Sequence, residues 1–238
     1  MKAIIQKWGI TFFILVLSVH LYGQILGEKF TALQFVTKAL LLPTLMVYLI
    51  AQDEFAKAPK AKWLVIVALF GSFLGDVLLT FPDYFILGMV AFMTTHIFNM
   101  IMFHQINGIR QPKSKKFLLF TVILIAFCVL IYFKLQAAMG SLIYPILVYM
   151  ALICSAALMA IHAGRNSKEA LISKLFWFPG MLFFITSDTV LAFNKFDWAK
   201  NMPIKNIGLV TMLTYGLAQV LLTKGFQIYL KQQTSSAD

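Results

Sequence analysis

The stretch WLVIVALFGSFLGDVLLTF, residues 63–81, carries a single charge, Asp76. At 1.5 Å per residue a helix over it is about 28 Å long, close to the roughly 30 Å of hydrocarbon in a bilayer. A carboxylate inside such a run costs about 2.5–3.5 kcal/mol on insertion scales, so it normally faces a cavity or a partner rather than lipid. Two questions follow: whether the rest of the chain is built the same way, and what Asp76 does there.

Composition answers the first. The chain has 238 residues, 61% of them hydrophobic and only 12% charged, with a mean hydropathy of +0.84. Soluble domains are nearer half apolar and a quarter charged, and a chain this short cannot hide so much apolar surface from water. Eight runs are long enough to cross a bilayer: approximately 8–26, 31–51, 62–80, 84–104, 116–133, 141–162, 175–193 and 206–229. Their connections are short, so neighbours in sequence pack antiparallel. The prediction is an all-α integral membrane protein, a single eight-span transmembrane helix bundle over residues 1–230 with a polar, frayed C-terminal tail, 231–238. Lys2 and Lys7 give the first run the look of a signal peptide, but no A-x-A site follows it and seven more runs do.

The net charge of +11 would suggest nucleic acid in a soluble protein. Here the bases sit in short loops between apolar runs, facing anionic headgroups, so the expected partner is the bilayer and not nucleic acid. Fourteen of the 20 Lys and Arg fall on the side of the termini, five on the other side, and Lys38 lies within the second run. An excess of bases marks the cytoplasmic side. That places both termini in the cytoplasm, and the expected location is the cytoplasmic membrane of a bacterium.

A second acid answers to the first. LGDVLLTF (74–81) is echoed by TSDTVLAF (186–193), which puts Asp188 112 residues after Asp76. The two lie on the third and seventh runs, where a duplicated four-helix unit would place them as parallel repeats; a single unrepeated bundle accommodates them equally. Both sit roughly 6–9 Å below the outer edge of their helices, and Lys38 at about 10 Å. Three ionisable groups at one depth point to one site. His96 and Asn99 share a face of the fourth run, somewhat deeper; Tyr149 lies on the sixth, Ser187 beside Asp188 on the seventh, and Tyr215 in a polar stripe of the eighth. The fifth run has almost no polar residue and reads as lipid-facing wall.

Blander roles stand beside these. Asp76 and Asp188 could simply lock helices by pairing with Lys38; His96 could be a core histidine; Asn99, Tyr149 and Tyr215 could be interhelical glue. Gly71 and Gly75 form a GxxxG, most simply a close helix contact. His20, with Gln24 near the outer end of the first run, is read as a packing or interfacial residue. Lys195, Lys200 and Lys205 are either snorkelling side chains or a rim for a lipid phosphate. Cys128 and Cys154 lie in apolar runs and are read as small core or lipid-facing residues, not as a disulfide or metal pair. His20, His96, His104 and His162 fall at different depths, so no metal or cofactor is expected.

GDVLL (75–79), GMVAFMTTHIFNM (88–100) and GMLFFITSDTVLAF (180–193) resemble the YhhN family of membrane proteins, which includes the mammalian lysoplasmalogenases. The resemblance covers essentially all eight runs. Lys38 resembles a family lysine that is often followed directly by proline; here the stretch is TKALLLP, with the proline delayed to Pro43. What the resemblance implies is hydrolysis of the vinyl-ether bond of a lysoplasmalogen, a lysophospholipid, to a fatty aldehyde and a glycerophospho-alcohol, with the two family aspartates falling on Asp76 and Asp188. One acid would protonate the vinyl ether and a carboxylate would orient water. Lys38, His96, Asn99, Tyr149, Ser187 and Tyr215 would bind substrate or water. Two other classes stay open: a proton-coupled solute or lipid transporter using the same cluster, and a scaffold with no pocket between the second, third, seventh and eighth runs.

Overall fold

The structure, a computed structural model, describes residues 1–108, 110, 114–196 and 207–235. Regular structure among the described residues is entirely helical. Eight helices are long: α1 (Lys2–Leu26), α2 (Thr31–Ala51), α4 (Pro59–Leu78), α5 (Phe85–Ile106), α6 (Lys115–Met139), α7 (Ile143–Ala163), α9 (Phe178–Lys195) and α10 (Ile207–Ser235). Two are short, α3 (Asp53–Lys57) and α8 (Ser167–Ile172), and α8 continues through a π-helical turn, Ser173–Trp177, into α9.

Seven stretches are long and apolar enough to cross a membrane, and the one over Lys115–Ala163 has 49 residues, which is two crossings' worth. It doubles back at Gly140, whose φ of +54° suits a residue without a Cβ, so α6 and α7 pack against each other. The chain is a multi-pass, eight-helix membrane bundle. An even number of crossings puts both termini at one end of it. Helix ends overrun the apolar runs: α1 starts at Lys2, and α10 stays helical to Ser235, well into the polar tail. Lys and Gln can be helical there because they sit beyond the hydrocarbon. The remainder of the tail, 236–238, lies outside the described residues, as do Lys200 and Lys205.

The most intimate pairs are α4 with α5, α9 with α10 and α1 with α2. Gly71 makes the first possible: a Cβ there would lie 2.8 Å from the Ala91 carbonyl oxygen of α5. One turn on, a Cβ at Gly75 would meet the ring of Phe92 at 2.5 Å. The GxxxG is therefore a close helix contact, and it sets the rotation that turns Asp76 inward. Polar side chains fasten the seam. Thr95 Oγ1 donates to the Ala68 carbonyl at 2.9 Å, lies 3.0 Å from Ser72 Oγ, and Gln219 Nε2 of α10 donates to Ser72 Oγ at 2.9 Å. In α2, Pro43 lacks the N–H that the Ala39 carbonyl would accept, which opens the helix ladder next to Lys38. The apolar core is densest toward the termini, around Tyr48, Phe55, Phe103, Trp177 and Phe226. By contrast α6 buries only Leu124, Ile131, Leu135 and Met139.

Candidate active site

Asp76 ends α4 on its inner face and is buried; Lys38 reaches it from α2, with Nζ 4.0 Å from Oδ1. From α10, Tyr215 stands beside the same carboxyl and close to Ser72 and Gln219. Neither Tyr215 Oη nor Asp76 Oδ2 completes a hydrogen bond of good geometry among the described residues, although the two groups are near enough to interact. A fully buried hydroxyl and carboxyl oxygen left this way have capacity for water or a ligand atom.

Asp188, on α9, has a different set of neighbours. Tyr149 of α7 donates its hydroxyl hydrogen to Asp188 Oδ2. His96 of α5 lies 3.1 Å from Tyr149 Oη through Nε2, and 4.0 Å from Asp188 Oδ2. Because the tyrosine proton is committed to the acid, Nε2 is the donor to Oη, and Nδ1 is the bare nitrogen, buried with no partner among the described residues. Phe92, Phe184 and Tyr215 pack edge to face, with centroids 5.6–6.0 Å apart, and His96 meets Phe184 edge to face at 4.8 Å. This aromatic cluster joins the Tyr215 beside Asp76 to the His96 beside Asp188. The two carboxyls are within range of each other's charge.

A cavity of about 80 Å³ opens onto Asp188 and Tyr149. Phe85, Phe196, Leu135 and Ile146 form its rim at the end away from the termini, and Ile153, Cys128 and Cys154 its floor near mid-bundle. The walls are otherwise apolar except for Thr189, whose hydroxyl donates to the Ile185 carbonyl; they come from α5, α6, α7 and α9, with Leu79 from the end of α4. Lys195 stands at the rim with Nζ 4.8 Å from the centre of the Phe85 ring.

Residues 33–226 match the model of the YhhN family. The chain belongs to the YhhN family. The matched range takes in every residue of the two acid clusters and all of the cavity's lining. No curated protein and no solved structure matches the chain.

This YhhN chain arranges its polar residues in a way the one-dimensional reading only partly anticipates. Lys38, Asp76 and Tyr215 meet, and so do Asp188, Tyr149 and His96, each acid drawing one partner from the preceding long helix and one from a helix of the other half. A four-helix duplication would relate the two sets. Ser187 turns away from its neighbour Asp188 and donates to the Thr211 carbonyl of α10 at 3.0 Å. Asn99 lines a separate cavity of about 10 Å³ with Thr95, Gln219 and Thr223. One turn of helix carries it past His96, into a cavity whose lining includes neither acid. His20 packs in the α1–α2 seam, 2.9 Å from Thr37 Oγ1.

Two features depart from expectation, and a third adds to it. The cavity lies between α5, α6, α7 and α9 rather than among the second, third, seventh and eighth crossings, where Gln219 of α10 bonds Ser72 of α4 and Tyr215 packs on Phe184 of α9. The fifth crossing, α6, is cavity wall on one face, through Phe127, Cys128, Ile131 and Leu135. An all-apolar helix gives no sign of which face it turns inward. Cys128 and Cys154 are free thiols within the bundle, as expected; the added feature is that they face each other, with Sγ atoms 3.4 Å apart. Their separation in sequence carried no motif, since the contact exists only once α6 folds back on α7.

Proposed function

We propose that this chain is a membrane-embedded hydrolase that cleaves the vinyl-ether bond of a lysoplasmalogen, in keeping with the lysoplasmalogenase activity associated with its family. The observation that supports it best is the unequal treatment of two neighbouring acids. Asp76 has the cation Lys38 beside it, and Asp188 has instead the tyrosine hydroxyl and an apolar slot. Lys38 balances one carboxylate, so Asp76 is assigned as the base and Asp188 as the acid. With Oδ2 occupied as an acceptor by Tyr149, Asp188 carries its proton on Oδ1.

The hydrocarbon chain lies in the slot, with the phosphate toward Lys195 at the rim. Asp188 gives its proton to the vinyl carbon remote from the ether oxygen, leaving an oxocarbenium ion beside Asp188. Water adds to the cationic carbon and gives a proton to Asp76. The hemiacetal collapses to aldehyde and alcohol as its hydroxyl proton passes to the leaving oxygen. The proton on Asp76 returns to Asp188 before the next turnover. General acid–base action of this kind contributes about 10²–10⁴ in rate, and fixed charge beside the cation adds to it.

Asp76→Asn and Asp188→Asn should each abolish aldehyde release from lysoplasmalogen by the detergent-purified protein while its far-UV circular dichroism stays that of the wild type. Turnover near the wild-type rate in either variant removes that acid from the chemistry. Asp76 is absent from the cavity wall, which favours a second reading, a transporter whose solute or protons pass the two acids in turn. The assay separates the two, because transport needs a sealed vesicle and hydrolysis does not.

A further inference from the structure

Cys128 and Cys154 meet at the floor of the slot, across the seam between α6 and α7. Cys154 is buried and Cys128 partly open. The helix that carries Cys128 is the least anchored of the long ones: α6 buries four of its 25 residues, whereas α4 buries eight of 20. It packs chiefly on α7. The slot is also small. About 80 Å³ is well below the roughly 300–1,000 Å³ of pockets that take drug-sized ligands. A chain that enters must push α6 off its neighbours or thread past its edge, so the α6–α7 seam decides access.

We propose that Cys128 and Cys154 are a redox modification site: a hydroperoxide arriving through the lipid closes the pair to a disulfide, which staples α6 to α7 and holds the slot shut. The sulfur of Cys128, the more open of the two, attacks the terminal peroxide oxygen. The O–O bond breaks, the thiol proton goes to the departing alkoxide, and an alcohol and a Cys128 sulfenic acid result. The sulfur of Cys154 then attacks that sulfenic sulfur. Its proton leaves with the hydroxyl as water, and the S–S bond forms. Two thiols are oxidised and one hydroperoxide is reduced. The sulfurs must close from 3.4 Å to about 2.05 Å, a motion within reach of side-chain rotation. The helices need not move apart to allow it, so the oxidised form keeps the closed packing. A membrane-permeant phosphine reverses the bond.

That the cargo is a lipid chain rests on the hydrolase reading, so the experiment reads cross-linking and binding apart from turnover. The full-length protein in lipid nanodiscs is treated with cumene hydroperoxide, and peptides are mapped without reduction. Binding is followed with a radiolabelled, non-cleavable alkyl-ether lysophospholipid, and turnover by aldehyde release. The expected result is a Cys128–Cys154 linked peptide, association of the alkyl-ether lipid slowed at least about tenfold, and recovery with phosphine. In Cys128→Ser and in Cys154→Ser the ratio of rates with and without oxidant should be one, whatever the basal rate of each. Absence of the linked peptide, or a linked protein whose lipid association changes less than about twofold, overturns the proposal. If cross-linking and slowed binding occur but no aldehyde is ever released, the gate stands and the hydrolase reading fails.

Discussion

Replacing Lys38 with Met tests the pairing on which the roles of the two acids depend. Its Nζ lies 4.0 Å from Asp76 Oδ1, and the two side chains are 22% and 5% exposed. At an effective dielectric constant of ~20, two unit charges at that separation attract by about 4 kcal/mol. Removing one partner of a buried pair costs about 3–5 kcal/mol, because the other charge stays behind uncompensated. The two figures agree, and Met preserves most of the stem's packing. For a chain of this length each kcal/mol shifts Tm by about 2–4 °C, so Lys38→Met should melt about 8–16 °C below the wild type. Asp76→Asn leaves Lys38 as the odd charge, but the lysine is the more exposed partner and can reach toward the near membrane surface, so the loss there is smaller. With both changes no charge remains, and Lys38→Met/Asp76→Asn should melt within about 3 °C of Asp76→Asn. Thermal unfolding of the four proteins in detergent, followed by a dye that reacts with the emerging cysteines, closes the cycle. A Lys38→Met protein melting within about 2 °C of the wild type, or single effects that merely add, would show that the lysine does not compensate Asp76.

Three further outcomes follow from particular contacts. Tyr149→Phe removes the donor to Asp188 and the acceptor for His96 at constant shape; kcat should fall about 10²-fold with KM within about twofold, and steady-state aldehyde release that shows the reverse split would assign the hydroxyl to substrate binding. Gly71→Ala places a Cβ 2.8 Å from the Ala91 carbonyl oxygen and 3.1 Å from the Thr95 nitrogen, backbone atoms that cannot rotate away; a loss of about 1–3 kcal/mol is expected, whereas Gly108→Ala, with nothing nearer than 4.0 Å, should melt like the wild type. At the termini end, Lys2 Nζ donates to Asp53 at 2.5 Å, and that hydrogen bond first, with one from Gln6, holds the Asp53 carboxyl below the usual carboxylate range. A depressed folded value gives stability that is present above the unfolded value and lost as pH falls through the folded one. Asp53→Asn should therefore melt slightly below the wild type at neutral pH, and the two curves should merge below the ordinary aspartate range; the pair is exposed, so the gap is small.

The crossings and the depths of the charged groups were legible in the chain because the hydrocarbon sets a cost for each residue by its position alone. Asp76, Asp188 and Lys38 stand out on that scale without reference to any neighbour, and the polar residues at their level were found the same way. Level is not direction, however. Ser187 adjoins Asp188 in sequence and still points to α10; Asn99 follows His96 by one turn and lines another cavity. The GxxxG of α4 predicted a tight contact but not that its partner would be α5.

Membrane cost thus determined, from sequence alone, that the chain is a bundle of apolar helices with two acids and a lysine held at a shared depth. Only the tertiary structure decided that Lys38 belongs to Asp76 and Tyr149 to Asp188, that α6 lines the slot, and that Cys128 faces Cys154. Those choices depend on how each helix is rotated about its axis and which neighbour it meets. Rotation is fixed by contacts between residues far apart in the chain, such as Gly71 against Ala91 and Gln219 against Ser72, and no local pattern encodes it.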